Sequence, residues 1–245
     1  MRRRWIADTV SPTSGHPTHA ALTGDQALHL ARVLRAEPGQ VFDVVAAGFL
    51  HRAEITSVTP DRVDFVLHEE LQSDSALPLS LYLAVFKFDH LEWAIEKATE
   101  LGVAQITPIL ARRTEKHLAQ AATKRVERWR RIAHEASQQS RRTSVPTIAD
   151  PIALKPALAR EQSLSLPEAL KKSVPDSSES HPDAWDKPSQ TITHTLAIGP
   201  EGGWTPEEMA LFTQHIWTHV TLGPRILRAE TAAIAAIAIA GTFLG

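Results

Sequence analysis

Two short segments near the C-terminus hold the residue types from which a small-molecule site is built. The first is Ile198-Gly199-Pro200-Glu201-Gly202-Gly203-Trp204. The second is Leu222-Gly223-Pro224-Arg225-Ile226-Leu227-Arg228-Ala229-Glu230-Thr231-Ala232. Each reads as an apolar run, a glycine–proline turn and a helix start. Two such strand–loop–helix units side by side form a cleft lined by backbone N–H and C=O groups, which suits a small polar cofactor. Gly199, Gly202 and Gly203 have no side chains and admit close approach to the backbone. No GxGxxG fingerprint is present, which argues against an ordinary dinucleotide fold. Arg225 and Arg228 either pin the loop through Glu230 or Glu201, or face an anionic substrate. The sequence leaves both readings open.

A second chemistry is suggested by charge. The net charge is only −2, but residues 111–142 hold ten basic residues against three acids, a local balance of +7. Arg2, Arg3 and Arg4 add a basic N-terminus. Concentrated positive charge is what phosphate binding needs, although a charge run also serves as a solvated helix face. Gln138-Gln139-Ser140-Arg141-Arg142, which closes the basic helix, reads by itself as a polar helix end.

The elements that must position these residues follow from periodicity. Residues 1–72 read as a small β-rich unit with one helix. Thr23-Gly24-Asp25-Gln26 has the capping-box pattern, and Ala27, Leu30, Ala31 and Leu34 recur at helical spacing. Val41–Ala46, His51–Val58 and Arg62–Leu67 read as strands, and a barrel closes so few strands compactly. Leu71–Pro78 reads as a linker. Strands at Leu79–Val85 and Val103–Leu110 alternate with a helix from Asp89 to Leu101 and another over Lys124–Gln138, which implies a parallel sheet with helices on its faces. Residues 161–190 contain seven Ser and four Pro and read as a surface loop, with a short strand at Leu164–Leu166. His194–Ile198 reads as a buried strand and Trp217–Leu222 as the next one. Thr205-Pro206-Glu207-Glu208 starts a helix, and Glu230 opens the last.

Composition removes several classes. There are no cysteines, hence no disulfides or thiolate metal sites. The twelve histidines show no HExxH spacing, and no metal is expected. The apolar run Thr231–Leu244 is shorter than the ~20 residues of a membrane span and reads as a buried helix. With no signal-peptide pattern behind Met1-Arg2-Arg3-Arg4, a cytoplasmic protein is expected.

The combination resembles the RsmE family, the small-subunit ribosomal RNA (uracil-N3)-methyltransferases of the SPOUT superfamily. The stretches that carry the resemblance are Ala27–Arg35, Glu92–Val103, Ala111-Arg112-Arg113-Thr114, Glu135 with Gln139, Ser140 and Arg142, and the two C-terminal loops. Leu28 stands where the family has the first of two histidines, Phe88 where it has a glycine, and residues 170–190 have little family character. The resemblance implies an α/β fold in two domains: a PUA-like RNA-binding β-barrel over 1–72, and a SPOUT methyltransferase domain with a C-terminal trefoil knot over 73–245. It implies S-adenosylmethionine as cofactor, a homodimer, and a uridine of 16S rRNA as substrate. The cofactor residues it implies are Leu166, Glu168, Ile198, Gly199, Pro200, Glu201, Gly202, Gly203, Leu222, Gly223, Ile226, Leu227, Arg228, Thr231 and Ala232. For RNA they are Arg4, His29, Arg32, Arg35, Lys87, Arg112, Arg113, Lys116, Gln139 and Arg142. Uracil N3 must lose a proton as it attacks the sulfonium methyl. Arg225 or Arg228 is expected to stabilise the developing charge, and Glu201 to accept the proton or orient the base. A SPOUT ribose 2′-O-methyltransferase and a non-catalytic RNA-binding protein are the alternatives.

Overall fold

The computed structural model describes residues 4–13, 16–72, 76–163 and 194–244. The first part of the chain forms β1 (Trp5–Ile6), β2 (Thr9–Thr13), β3 (His16–Thr23), helix α1 (Gly24–Leu28), β4 (Val41–Ala46), β5 (Phe49–Val58) and β6 (Arg62–Leu71). Their order in the sheet is β1-β4-β5-β6-β3-β2. The two outermost strands are consecutive in the chain, separated by Ala7 and Asp8 alone. Ala7 N–H donates to Val45 on β4, and Asp8 N–H donates to Ala21 on β3. The sheet must therefore curl until its edges meet, which is the barrel expected from so few strands. Trp5, Leu22, Val44, Ile55 and Phe65 fill it.

Two details of α1 depart from the sequence pattern. Thr23 does not cap the helix. Its hydroxyl and its N–H both go to the Asp8 carboxylate, at 3.1 and 2.6 Å. Residues His29–Val33 then continue as a π-helix, with Leu34 N–H donating to His29 O. The wider turn rotates the apolar stripe. Leu30 stays buried, Leu34 is turned outward, and Ala36 takes its place inside.

The second part contains β7 (Leu79–Ala84), α2 (Phe88–Glu100), β8 (Gln105–Leu110), α3 (Lys116–Gln139), β9 (Thr147–Ile148), β10 (Ile152–Ala153), α4 (Leu154–Ser163), β11 (His194–Ile198), α5 (Pro206–Gln214) and α6 (Ala229–Leu244). The main order is β10-β8-β7-β11, with β9 also on β8, and every pairing is parallel. The core is Leu81, Leu83, Leu91, Ile95, Ile106, Trp129 and Ile237. Helix α3 begins two turns earlier than its apolar stripe predicts, and α4 has no counterpart in the sequence pattern.

Three expectations need correction. Residues Trp217–Leu222 form no strand. Phe212 and Tyr82 hold the Trp217 ring, at centroid distances of 5.2 and 5.7 Å, and beyond it Val220 is exposed. The segment is thus tethered to α5 rather than zipped onto β11. Without that neighbour β11 ends the sheet and is half-buried, not buried. The last helix is likewise buried on one face only, through Ala233, Ala236 and Ile237, while Ile239 and Phe243 point outward. No helix among the described residues is long and apolar enough to cross a membrane.

Candidate functional site

Strand pairing explains why distant residues meet. β7 and β11 are adjacent, parallel and in register, Tyr82 opposite Ala197 and Leu83 opposite Ile198. The chain therefore leaves both strands at the same end, where open α/β sheets place ligands. Behind β7 come Lys87 and the first turn of α2. Behind β11 comes Gly199–Gly203. The segment 217–228 folds over the same end. Together they line a cleft of about 1570 Å³. Of the residues predicted from sequence, Ile198, Gly199, Pro200, Glu201, Gly202, Gly203, Leu222, Gly223, Ile226, Leu227, Arg228 and Ala232 all line it, with Arg225 and Lys87. Thr231 is exposed and does not line it. Leu166 and Glu168 lie outside the described residues, as do Arg2 and Arg3.

The glycines have internal reasons to be glycine. A Cβ on Gly199 would meet the Trp204 indole at 3.1 Å, and one on Gly202 would meet the Arg113 Cδ at 3.2 Å. Gly203 and Gly223 have φ of +70° and +110°, where side chains are strained. The loop is shaped by its own packing, and a bare backbone facing the cleft is the result. The helix behind it is firmly started. Thr205 Oγ1 accepts from Glu208 N–H, and the Glu208 carboxylate accepts from Thr205 N–H at 2.9 Å, a complete capping box. Its other oxygen accepts the Arg112 N–H at 2.8 Å. One buried carboxylate thus ties α5 to the basic loop at 111–114. Thr114 Oγ1 fastens that loop to Val85 O at 2.8 Å, and the Arg113 guanidinium donates to Gly202 O.

Neither arginine of the second loop pins it through Glu230. That carboxylate, buried at the start of α6, takes His90 instead, Nδ1 to Oε1 at 2.9 Å. Burial acts to raise the Glu230 pKa. Its own backbone N–H and the His90 ring, with Arg228 further off, outweigh this and hold it below the ordinary 4.5. His90 also lines the cleft. It was missed in the sequence because a lone histidine in a first helical turn gives no signal until the helix is docked. Among the described residues the backbone of Thr218–Leu227 makes two hydrogen bonds, both to the Thr221 hydroxyl: Gly223 N–H donates to Oγ1, and Gly223 O accepts from it. Ile226 beside it is fully exposed (103%).

Much of the basic run is committed to the protein. Arg125 and Arg128 both bond Glu92, at 3.1 and 2.8 Å, and Arg125 also lies 4.8 Å over the Phe88 ring. Arg130 serves Glu127, Asp150 and Ile148 O. Arg142, expected to hold RNA, instead donates from Nη1 to Thr99 O and Val103 O at 2.7 and 2.9 Å, locking the end of α3 to the end of α2. Burial lowers its pKa to about 10. Arg4, also expected on RNA, donates to Arg141 O, and Gln138 reaches Gln26 of the barrel. Residues 138–142 are therefore the joint between barrel and sheet domain, not a plain polar helix end. Gln139 stays exposed at this joint, and His29 lies by Trp5 in a cleft of about 670 Å³ beside it. Arg32, Arg35, Lys87, Arg112 and Lys116 have exposed side chains. Among the described residues no group of side chains is arranged to hold a metal ion.

Comparison with known proteins agrees with this geometry. Residues 73–241 match the model of an RNA methyltransferase domain, and residues 22–67 that of an RNA methyltransferase PUA domain. The chain is 33% identical to the ribosomal RNA small subunit methyltransferase E of Bacillus subtilis, over 97% of this chain and 94% of the relative. It is 32% identical to the protein of that name from Synechocystis, over 94% of this chain and 75% of the relative. It superposes on the crystal structure of a ribosomal RNA small subunit methyltransferase E from Neisseria gonorrhoeae bound to S-adenosyl methionine. That match has a TM-score of 0.76 and 28% identity, covering 100% of this chain and 99% of the other. The chain belongs to the ribosomal RNA small subunit methyltransferase E family.

Proposed function

We propose that this protein transfers the methyl group of S-adenosylmethionine to N3 of a specific uridine in the 16S RNA of the small ribosomal subunit. The observation that carries the reading is the single cleft at the C-terminal ends of β7 and β11, where both predicted loops meet under Lys87, Arg225 and Arg228. The cleft fits the cofactor. Backbone groups of 218–227 with no partner among the described residues suit the polar edge of a purine, and Leu222, Ile226, Leu227 and Ala232 suit its face. Bound there, S-adenosylmethionine supplies a methyl group already activated by the sulfonium charge. Arg225 and Arg228 stabilise the charge that develops on the uracil, and Glu201 orients the target nucleotide. The two C-terminal loops are read as the knot of the SPOUT fold.

Residues 1–72 act as the RNA-binding domain and 73–245 as the methyltransferase domain. The exposed cations Arg32 and Arg35 beyond α1, with those of the 111–116 loop and α3, hold phosphates. The protein works as a cytoplasmic homodimer. The outward apolar face of α6, with Ile239 and Phe243, supports that assembly, and sedimentation of the purified protein tests it. The function itself is tested by deleting the gene in its host and analysing small-subunit RNA nucleosides. 3-Methyluridine should vanish and return on complementation. Loss of a 2′-O-methyl nucleoside instead would overturn the reading.

A further inference from the structure

The cleft holds one group already arranged for proton transfer. His90 sits in the first turn of α2 with its ring in the cleft. Its Nδ1 lies 2.9 Å from Glu230 Oε1. Glu230 is 4% exposed and its second oxygen has no partner among the described residues. A carboxylate only accepts hydrogen bonds, so Nδ1 carries a proton, and in the neutral ring the free lone pair is the one on Nε2. Nε2 makes no hydrogen bond among the described residues. The exposed Asp89 carboxylate stands 3.7 Å from it. Glu201, the other candidate, is exposed and no described residue positions it. A buried carboxylate fixing the tautomer of a histidine that faces a ligand cleft is the arrangement of a general base.

We propose that His90 is the base that removes the N3 proton of the target uracil, oriented by Glu230. The inference rests on the uridine-N3 reading above. The N3–H proton passes to His90 Nε2. The N3 electron pair forms the bond to the methyl carbon while the methyl–sulfur bond breaks, its electrons staying on the now neutral sulfur. The protonated ring then returns its proton to water. The charged groups at the ring are Asp89 on its own helix and Glu230 from α6, and Lys87, Arg225 and Arg228 line the same cleft.

The test compares wild type with H90Q in single-turnover methylation of small subunits lacking the modification, as a function of pH. Cofactor affinity is measured separately by calorimetry. The Gln amide can still donate to Glu230, so it keeps the α2–α6 staple while removing the base. The expected result is unchanged cofactor affinity, a rate lower by about 10²-fold or more, and loss of the rise in rate with pH that a general base gives. In H90A, added imidazole should restore part of the rate. A wild-type rate and pH profile in H90Q would overturn the proposal, as would an H90A defect that imidazole leaves untouched. Should Gln at 90 cost the fold, H90N carries the same comparison. Wild type making no 3-methyluridine would instead bring down the uridine-N3 reading itself.

Discussion

Replacing Arg142 separates a structural arginine from an RNA-binding one. Its Nη1 makes two charge-assisted bonds, to Thr99 O and Val103 O, together contributing about 3–6 kcal/mol. Against this stands the removal of the guanidinium from water. Holding it at about 10 instead of 12.5 costs about 3 kcal/mol, at 1.36 kcal/mol per pH unit. Nη2 is buried with no partner among the described residues and adds nothing favourable. The net contribution is about 1 kcal/mol. At roughly 2–4 °C per kcal/mol for a chain of this size, R142A should melt about 2–4 °C lower. Its affinity for small-subunit RNA, measured well below that melting point, should stay within about twofold of wild type, since removing a cation that neutralises a phosphate has a larger effect. An unchanged Tm with a tenfold loss of RNA affinity would refute the reasoning, for the guanidinium would then be serving a phosphate and not two carbonyls.

R112A with K116A removes exposed charges that no ion pair holds among the described residues. The slope of log affinity against log salt should shrink by about 0.7–0.9 for each phosphate the variant no longer neutralises, with cofactor affinity unchanged. T205A breaks the capping box and should cost about 1 kcal/mol by thermal denaturation. Glu230 gives a pH dependence. Its folded pKa lies below the ordinary 4.5, so the folded state binds fewer protons. Its stabilisation is present above about pH 4.5 and is lost as pH falls through the lowered value. E230Q should therefore lose less stability than wild type between pH 5 and 3, and an identical acid limb in denaturant titrations would contradict this.

Local rules made much of the fold legible. Alternation placed β7, and helical spacing placed the buried residues of α2 and α3. Thr205, Pro206 and Glu208 announced the start of α5, because a capping box is an interaction among neighbours in sequence. Thr23 showed the same pattern and failed, because Asp8, fifteen residues away, took its hydroxyl. The Trp217–Leu222 strand failed for a related reason. Strand formation needs an edge to pair with, and the Trp217 ring is held by Phe212 and Tyr82 before the chain reaches one. In the site, the loops were legible from glycine and proline, but the partner of Glu230 was not. The sequence offered Arg225 and Arg228 nearby, whereas parallel pairing of β7 with β11 brings in His90. Charge counting does not see pairing: Arg113, Arg125, Arg128, Arg130 and Arg142 donate to carbonyls and carboxylates within the fold.

The central claim is tested most directly by methyl transfer from labelled S-adenosylmethionine to purified small subunits lacking the modification, followed by nucleoside analysis. The account predicts label in 3-methyluridine, at one position. Label in a 2′-O-methyl nucleoside, or RNA binding with no transfer at all, would contradict it.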